Sequence, residues 1–326
     1  MTENPIPVAV LLLAHGSPDD PAGIPDFLRN VTSGRPLPPH VIEEITHRYS
    51  LIGGSPLNCI TAQQAELLAT ELKQPVYYAM RNWTPYIPDV VRRMETDGVQ
   101  RAVAICLAPQ NSRTSVGLYR RALLGEATGE RGQQQFPPAG HKPAFEVDFV
   151  EAWHDHPLLV QAFAERLLEA WCPASARYGG LLPVIFTAHS VPAGTIAAGD
   201  PYEAQARQTA ELVAAAVPTL GAGDWRFAFQ SQGVAGGPWL GPTVEETILE
   251  LRSAGHRGVF IQPIGFLCDH VEVLYDIDIA FKQFAEQNGM RLWRAQSLND
   301  SPTLVAALAD VARTRMARPA PAKVAP

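Results

Sequence analysis

Val8-Ala-Val-Leu-Leu-Leu-Ala14 is an uninterrupted apolar run. A run of this length reads as a strand buried on both faces, as in a parallel sheet. It stops at His15-Gly16-Ser17-Pro18. A second run, Leu182 to Ala188, stops at His189-Ser190-Val191-Pro192. The two share one pattern: apolar strand, Ala-His, a small residue or two, then proline. Gly98 to Cys106 and Gly255 to Gln262 echo each other as well, each a helix end at glycine feeding a strand. These pairs predict an internal duplication with a boundary between residues 150 and 180.

Helical periodicity fills the intervals. Helices are predicted over 61–72, 83–94, 158–171 and 202–216, the last opening after Gly199-Asp200-Pro201. Another opens at Thr243, with Glu246 three residues on to complete a capping box. Alternating strands and helices imply an α/β fold of two similar Rossmann-like, doubly wound parallel sheets around a central cleft. The division expected is an N-terminal lobe over 1–155, a C-terminal lobe over 156–315 and a disordered Ala/Pro-rich tail over 316–326. Residues 125–135 are expected to form a mobile loop.

Composition narrows the class. The chain has 326 residues, of which 46% are hydrophobic and 18% charged, so a large core is available and disorder is excluded. The net charge of −7 argues against binding nucleic acid or anionic membranes. No apolar run approaches the roughly 20 residues of a spanning helix. The first ten residues carry Glu3 and no Lys or Arg, unlike a signal peptide. Cys59, Cys106, Cys172 and Cys268 form no CxxC pair, so neither a disulfide framework nor a zinc ribbon is expected. A reduced, cytoplasmic protein is the expectation.

Candidate chemistry lies where strands end. His15 and His189 fall at the carboxyl edges of their strands, where ligands bind in open sheets, and the two can face one cleft. Each also reads as a loop histidine bonded to backbone. Glu272 and Asp276 are four apart, so a helix puts both on one face, suited to a divalent cation or a shared proton. Asp269 reads better as a cap paired with Glu272. Arg35, Arg48-Tyr49, the turn Gly53-Gly54-Ser55 and Arg81 form a basic and polar cluster that suits carboxylates, or simply a solvated face. Trp239 sits among glycines and prolines, where it can cover a flat ligand or pack under its loop. Without a GxSxG motif, Ser17 and Ser190 are poor nucleophile candidates. Spacing alone gives a two-lobed α/β protein with a possible metal cleft and no substrate.

Eight segments in order resemble the ferrochelatase family, which inserts Fe(II) into porphyrins: 11–20, 47–61, 107–112 (LAPQNS), 151–157, 187–192 (TAHSVP), 199–202 (GDPY), 229–242, and 263–278 (PIGFLCDHVEVLYDID). The resemblance implies that His189 and Glu272 are the facing pair at the metal centre, pointing at each other from the two lobes, with Asp276 as a weaker extension. Neutral His189 is then expected to take pyrrole protons or meet the metal on one porphyrin face while Glu272 serves the other. The details are most similar to Gram-positive-type enzymes acting on coproporphyrin III. There the equivalents of Arg48, Tyr49, Ser55 and Tyr119 hold propionates. Arg81 and Trp239 are added as substrate contacts.

Two departures matter. His15 replaces an iron-ligating tyrosine, and imidazole suits Fe(II), so His15 is a candidate axial ligand of product iron opposite His189. Thr32 and Ser33 stand where such relatives have arginines, and Arg35 is the candidate replacement. With no cysteine after Cys268, no iron–sulfur cluster is expected. Fe(II) and porphyrin are the expected partners of a monomer without a permanent cofactor, with transient contacts to neighbouring haem-pathway enzymes. The alternatives are a sirohydrochlorin-type cobalt or iron chelatase and a non-enzymatic tetrapyrrole carrier.

Overall fold

In the computed structural model, residues 8–126, 141–233 and 237–318 are described. Among these residues eight strands alternate with helices: β1 (Val8–Ala14), β2 (Val76–Met80), β3 (Arg101–Cys106), β4 (Glu146–Val150), β5 (Val184–His189), β6 (Trp225–Gln230), β7 (Gly258–Pro263) and β8 (Arg291–Arg294). They form two four-stranded sheets of the same order, β2-β1-β3-β4 and β6-β5-β7-β8, with every pairing parallel. The duplication read from the strands is therefore real. The two Ala-His strands are equivalent, and so are the two glycine-led strands, β3 and β7.

The central strands are apolar on both faces because helices cover both. Val10 and Leu12 of β1 join a core with Phe163, Trp171, Phe186 and Leu308. Leu11 and Leu13 face the other way, onto Ile87 and Val91. In the C-terminal sheet, Ile185, Val259 and Ile261 pack against Ile248 and Leu251. The first of these cores is continuous across both sheets. The last helix, Pro302–Met316, packs its Leu304 and Leu308 into it. Arg101 of β3 fastens that helix by donating to the carbonyls of Arg315 (3.0 Å) and Arg318 (2.9 Å).

Several boundaries differ from the sequence expectation. The helix expected over 61–72 begins earlier, at Leu57, directly after Pro56. The one expected from Trp83 begins at Ile87, because Trp83–Pro85 turn first and Pro85 keeps Thr84 out of helical geometry. The helix expected to end at Trp171 runs on to Tyr178 through Pro173, held by the buried Ala174 and Ser175, and stops at Gly179 with φ +88°. The tail expected from 316 gives up its first residue to the terminal helix, while 319–326 lie outside the described residues. The loop expected over 125–135 falls largely outside them too. Among the described residues, no helix is long and apolar enough to cross a membrane.

Candidate active site

His189 is the last residue of β5, and its ring Nδ1 donates to the carbonyl of Ser190. Nε2 then points to Oε1 of Glu272 at 3.3 Å. Glu272 lies in a single helical turn, Val271–Leu274, that follows β7. Its backbone carbonyl accepts from Gln230 at the end of β6 (2.7 Å), and its Oε2 lies 3.4 Å from Nε2 of His270. Both members of the pair thus come from the C-terminal sheet. The expectation that they point at each other from opposite lobes is incorrect: at 3.3 Å no porphyrin fits between them, and they share one side of the cleft.

The electrostatics follow from this contact. Burial alone would lower the His189 pKa, but the Glu272 carboxylate outweighs it and raises the group to about 9. Burial would raise Glu272, and His189 with His270 instead hold it well below the usual carboxylate range. Both shifts favour imidazolium and carboxylate over the neutral pair, in contrast to the neutral His189 of the sequence expectation. Side-chain exposures of 35% and 31% leave it partly screened by the cleft's water.

Beyond Glu272 the backbone changes winding. From Tyr275 it makes an i→i+5 turn, Ala280 N–H to Tyr275 C=O at 2.9 Å, and Asp276–Phe281 is a π-helix rather than the regular helix expected. Such turns cluster at functional sites. Asp276 accepts from the Ser231 hydroxyl, and Ser231 itself holds a left-handed φ of +59°. Burial is the first cause that lifts Asp276 to about 6; Glu272 adds to it, whereas Ser231, Arg48 and His270 oppose it. Asp278 instead turns to Arg294, in two bonds of 2.6 and 2.7 Å.

Asp269 is no cap. The cap position is His270, without a side-chain bond, and the Asp269 carboxylate accepts from Ser297 and Asn299, both at 2.9 Å. Those two residues follow β8, so Asp269 ties the site's loop to the sheet. The contrast is the helix Val244–Ser253, where Thr243 and Glu246 make both bonds of the capping box.

The N-terminal half supplies the other side. His15 follows β1, feels the charges of Arg81, Glu272 and His270, and is pushed down to about 4, first by burial and then by Arg81. Tyr49 is buried, donates or accepts with Ser17 Oγ at 2.8 Å, and is raised to about 12, mainly by burial. Tyr119 and Tyr202 are buried and also raised, again mainly by burial, with the Glu272 charge contributing. The Arg81 charge acts on His15 and Tyr119, and its guanidinium has no hydrogen-bond or ion-pair partner among the described residues. Arg48 pairs with Glu44 (3.0 Å) and lies over the Tyr275 ring (5.0 Å), joining the two sides of the cleft.

The remaining candidates are less central. Thr32 and Arg35 bind each other: Thr32 Oγ1 donates to the Arg35 carbonyl (2.7 Å), and Arg35 Nε donates to the Thr32 carbonyl (3.2 Å). Ser55 is buried in the glycine turn. That turn does allow a close backbone approach, but to Asp19 rather than to a ligand, since a Cβ on Gly54 would lie 2.1 Å from the Asp19 carbonyl oxygen. Trp239 bridges to Pro192 beside the His189 loop and packs over Gly233. Sequence reasoning missed Asn82, whose amide nitrogen lies 3.0 Å from His15 Nε2, as well as Gln230, Ser231 and the contact of His270 with Glu272. His270 was visible two residues before Glu272, and the others carry only the signal of following a strand.

Two of the family-like motifs supply polar joints between the halves. Asp200 accepts from the backbone N–H of Arg113 (2.7 Å) and that of Tyr202 (3.1 Å), and the Tyr202 hydroxyl donates to the His189 carbonyl (2.9 Å). Gln110 donates to Thr209 and to the Ile264 carbonyl, both at 3.2 Å. The ferrochelatase profile matches residues 7–316. The chain belongs to the ferrochelatase family. A ferrochelatase of Acidobacterium capsulatum is 55% identical, covering 95% of each chain. A coproporphyrin III ferrochelatase of a Geobacillus species, strain WCH70, is 32% identical over 95% of this chain and 98% of its own. Among solved structures, SirB from Bacillus subtilis with Fe3+ superposes with a TM-score of 0.54 at 12% identity, over 95% of this chain and 96% of that one, which is a likeness of fold.

As in any ferrochelatase, the metal is a substrate that passes through. Among the described residues no three His, Cys, Asp or Glu side chains converge as a ready-made ligand set. His189 and Glu272 are in contact, Asp276 four residues on is bonded to Ser231, and His270 is braced against Glu272.

Proposed function

We propose that this ferrochelatase takes coproporphyrin III in preference to protoporphyrin IX. The observation that carries the reading is Arg81: a cation with no anionic partner among the described residues, whose charge acts on Tyr119 and His15. An arginine in such a place is suited to a ligand carboxylate. Arg48, on the helix Pro39–Leu51, adds a second cation at the cleft. Coproporphyrin carries four propionates and protoporphyrin two, so two arginines and two buried phenols favour the more acidic ring. The relatives named coproporphyrin III ferrochelatase, 32–34% identical, are consistent with it.

Insertion exchanges two pyrrole protons for one Fe(II). Glu272, ionised at rest, is the first anionic contact for the ion. Once Fe(II) draws on that carboxylate, its hold on the His189 imidazolium weakens, and His189 releases its proton and becomes the base for the pyrroles. Asp276, near its own titration point at neutral pH, passes protons outward. Iron and porphyrin are both substrates in this scheme, and no resident cofactor is needed. Anaerobic incubation with Fe(II) and coproporphyrin III, protoporphyrin IX or sirohydrochlorin tests it, read by loss of free-base absorbance. A higher kcat/KM for coproporphyrin III is expected. Equal or better use of protoporphyrin IX, insertion confined to sirohydrochlorin, or binding without insertion would each overturn it.

A further inference from the structure

His15 is surrounded by protein on most sides yet keeps solvent exposure, and neither ring nitrogen is free. Nδ1 lies 3.1 Å from the Gly16 carbonyl oxygen. That oxygen only accepts, so Nδ1 carries the proton and Nε2 keeps the lone pair of the neutral ring. The Asn82 amide nitrogen sits 3.0 Å from Nε2 and donates to it. The opposite amide orientation would set an oxygen against a lone pair. Asn82 Oδ1 is left without a partner among the described residues, although the side chain is fully buried. A buried amide normally satisfies both ends; here one end is given up so that the other can meet His15.

The arrangement is held from behind. The Asn82 N–H donates to the His15 carbonyl at 2.9 Å. The Asn82 carbonyl accepts from the Asn30 amide at 3.0 Å, and that amide also meets the Tyr86 hydroxyl at 3.0 Å. The edge of the His15 ring is packed against Phe27, centroids 5.7 Å apart. Rotating the imidazole towards the cleft would break its bonds to both Gly16 and Asn82.

We propose that Asn82 is a positioning residue of the metal site: it occupies the Nε2 lone pair of His15 and withholds that imidazole from the iron of the product porphyrin. The proposal rests on the product being an iron porphyrin. It replaces the expectation that His15 is an axial ligand. The N-terminal side of the porphyrin then makes no metal bond, and the product leaves without breaking one there.

Two measurements on the full-length chain test this separately from the substrate reading. In the porphyrin-free wild type, 15N shifts of the histidine rings should show His15 protonated at Nδ1 and bare at Nε2; the reverse tautomer overturns the pairing. With ferrous coproporphyrin bound, resonance Raman should show no iron–imidazole stretch that disappears in His15→Ala. Asn82→Ala should gain such a band, and Asn82→Ala with His15→Ala should lose it. Asn82→Asp, whose carboxylate calls for an N–H at Nε2, should not gain it. A His15-dependent band in the wild type overturns the proposal without any variant, and so does a folded Asn82→Ala chain that gains none. Failure of the wild type to bind coproporphyrin III, read by fluorescence quenching, would count against the substrate reading and leave the 15N result to decide the pairing.

Discussion

His15 and His189 close equivalent strands of equivalent sheets, and each donates from Nδ1 to the carbonyl of the next residue. They differ in what meets Nε2. His189 meets a carboxylate and is raised to about 9; His15 meets a neutral amide, stands near Arg81 and is lowered to about 4. One duplicated frame therefore gives a charged imidazole on one side of the cleft and a neutral one on the other. The polarity is set by side chains that the duplication does not share, Glu272 in one half and Asn82 with Arg81 in the other. Backbone topology fixes where a strand-end group sits, and its immediate neighbours fix what it does.

The comparison breaks hardest at Glu272. Glu272→Gln keeps the shape and removes the charge, so His189 returns towards an ordinary imidazole. Fe(II) insertion should fall by about 10²–10⁴-fold, the usual worth of a positioned acid or base. His189→Ala should fall comparably, and the double variant should be little worse than either single, because the two act as a unit. Porphyrin affinity by fluorescence quenching should change little in all three. Near-normal turnover in both single variants would remove the pair from the mechanism.

Arg81 tests the opposite wall. Arg81→Leu should lower kcat/KM for coproporphyrin III by roughly 10- to 150-fold, since a charge-assisted hydrogen bond is worth about 1.5–3 kcal/mol. Most of the loss should appear in KM. A porphyrin methyl ester, which has no carboxylates, should bind wild type and variant alike. Equal losses for acid and ester would mean that Arg81 supports the fold rather than the substrate.

The opposite shifts also predict opposite pH effects on stability. A group whose folded pKa is raised stabilises fully below its unfolded value, and the contribution is lost as pH climbs through the folded one. For His189 that decline runs from 6.5 up to about 9. For His15 the folded value of about 4 lies below 6.5, so the unfolded chain binds more protons between them and stability falls as pH drops through that window. Glu272→Gln should flatten the alkaline limb of Tm against pH, and His15→Phe the acid limb. Thermal melts from pH 4 to 9.5 decide it, and two limbs unchanged from wild type would erase the contrast.

The strands were the most legible part of the chain. Seven consecutive apolar residues fit one environment, a sheet covered on both faces, and the repeated Ala-His ending marked equivalent carboxyl edges. What spacing could not show was partnership across long separations. His189 and Glu272 are 83 positions apart and meet because β5 and β7 are neighbours. The resemblance supplied that pair but set its members on opposite lobes, since a motif carries residue identity and no coordinates. Asn82 was invisible for a similar reason: it follows an ordinary strand, and only the backbone bond of Asn82 to His15 aligns the two. The π turn after Leu274 left no periodic trace because one extra residue in one turn is too short a signal.

The smallest expected effect separates two capping signals of the same pattern, an acceptor residue followed three positions later by Glu. At Thr243 the signal is true: its hydroxyl oxygen accepts from the Glu246 N–H at 3.1 Å, and Glu246 accepts from the Thr243 N–H at 2.8 Å. At Asp269 it is false, because Ser297, Asn299 and Arg294 claim the carboxylate first. Thr243→Ala should therefore cost about 1 kcal/mol of stability and leave insertion unchanged, since the helix it caps carries none of the site residues. Asp269→Asn should act the other way round. It keeps the size of the side chain and loses the attraction to Arg294, 3.4 Å away, on the residue directly before His270. Turnover should drop with only a small change in Tm. Urea melts paired with insertion assays on the two variants read the difference, and a Thr243→Ala enzyme that lost turnover while Asp269→Asn kept it would reverse the assignment of cap and brace.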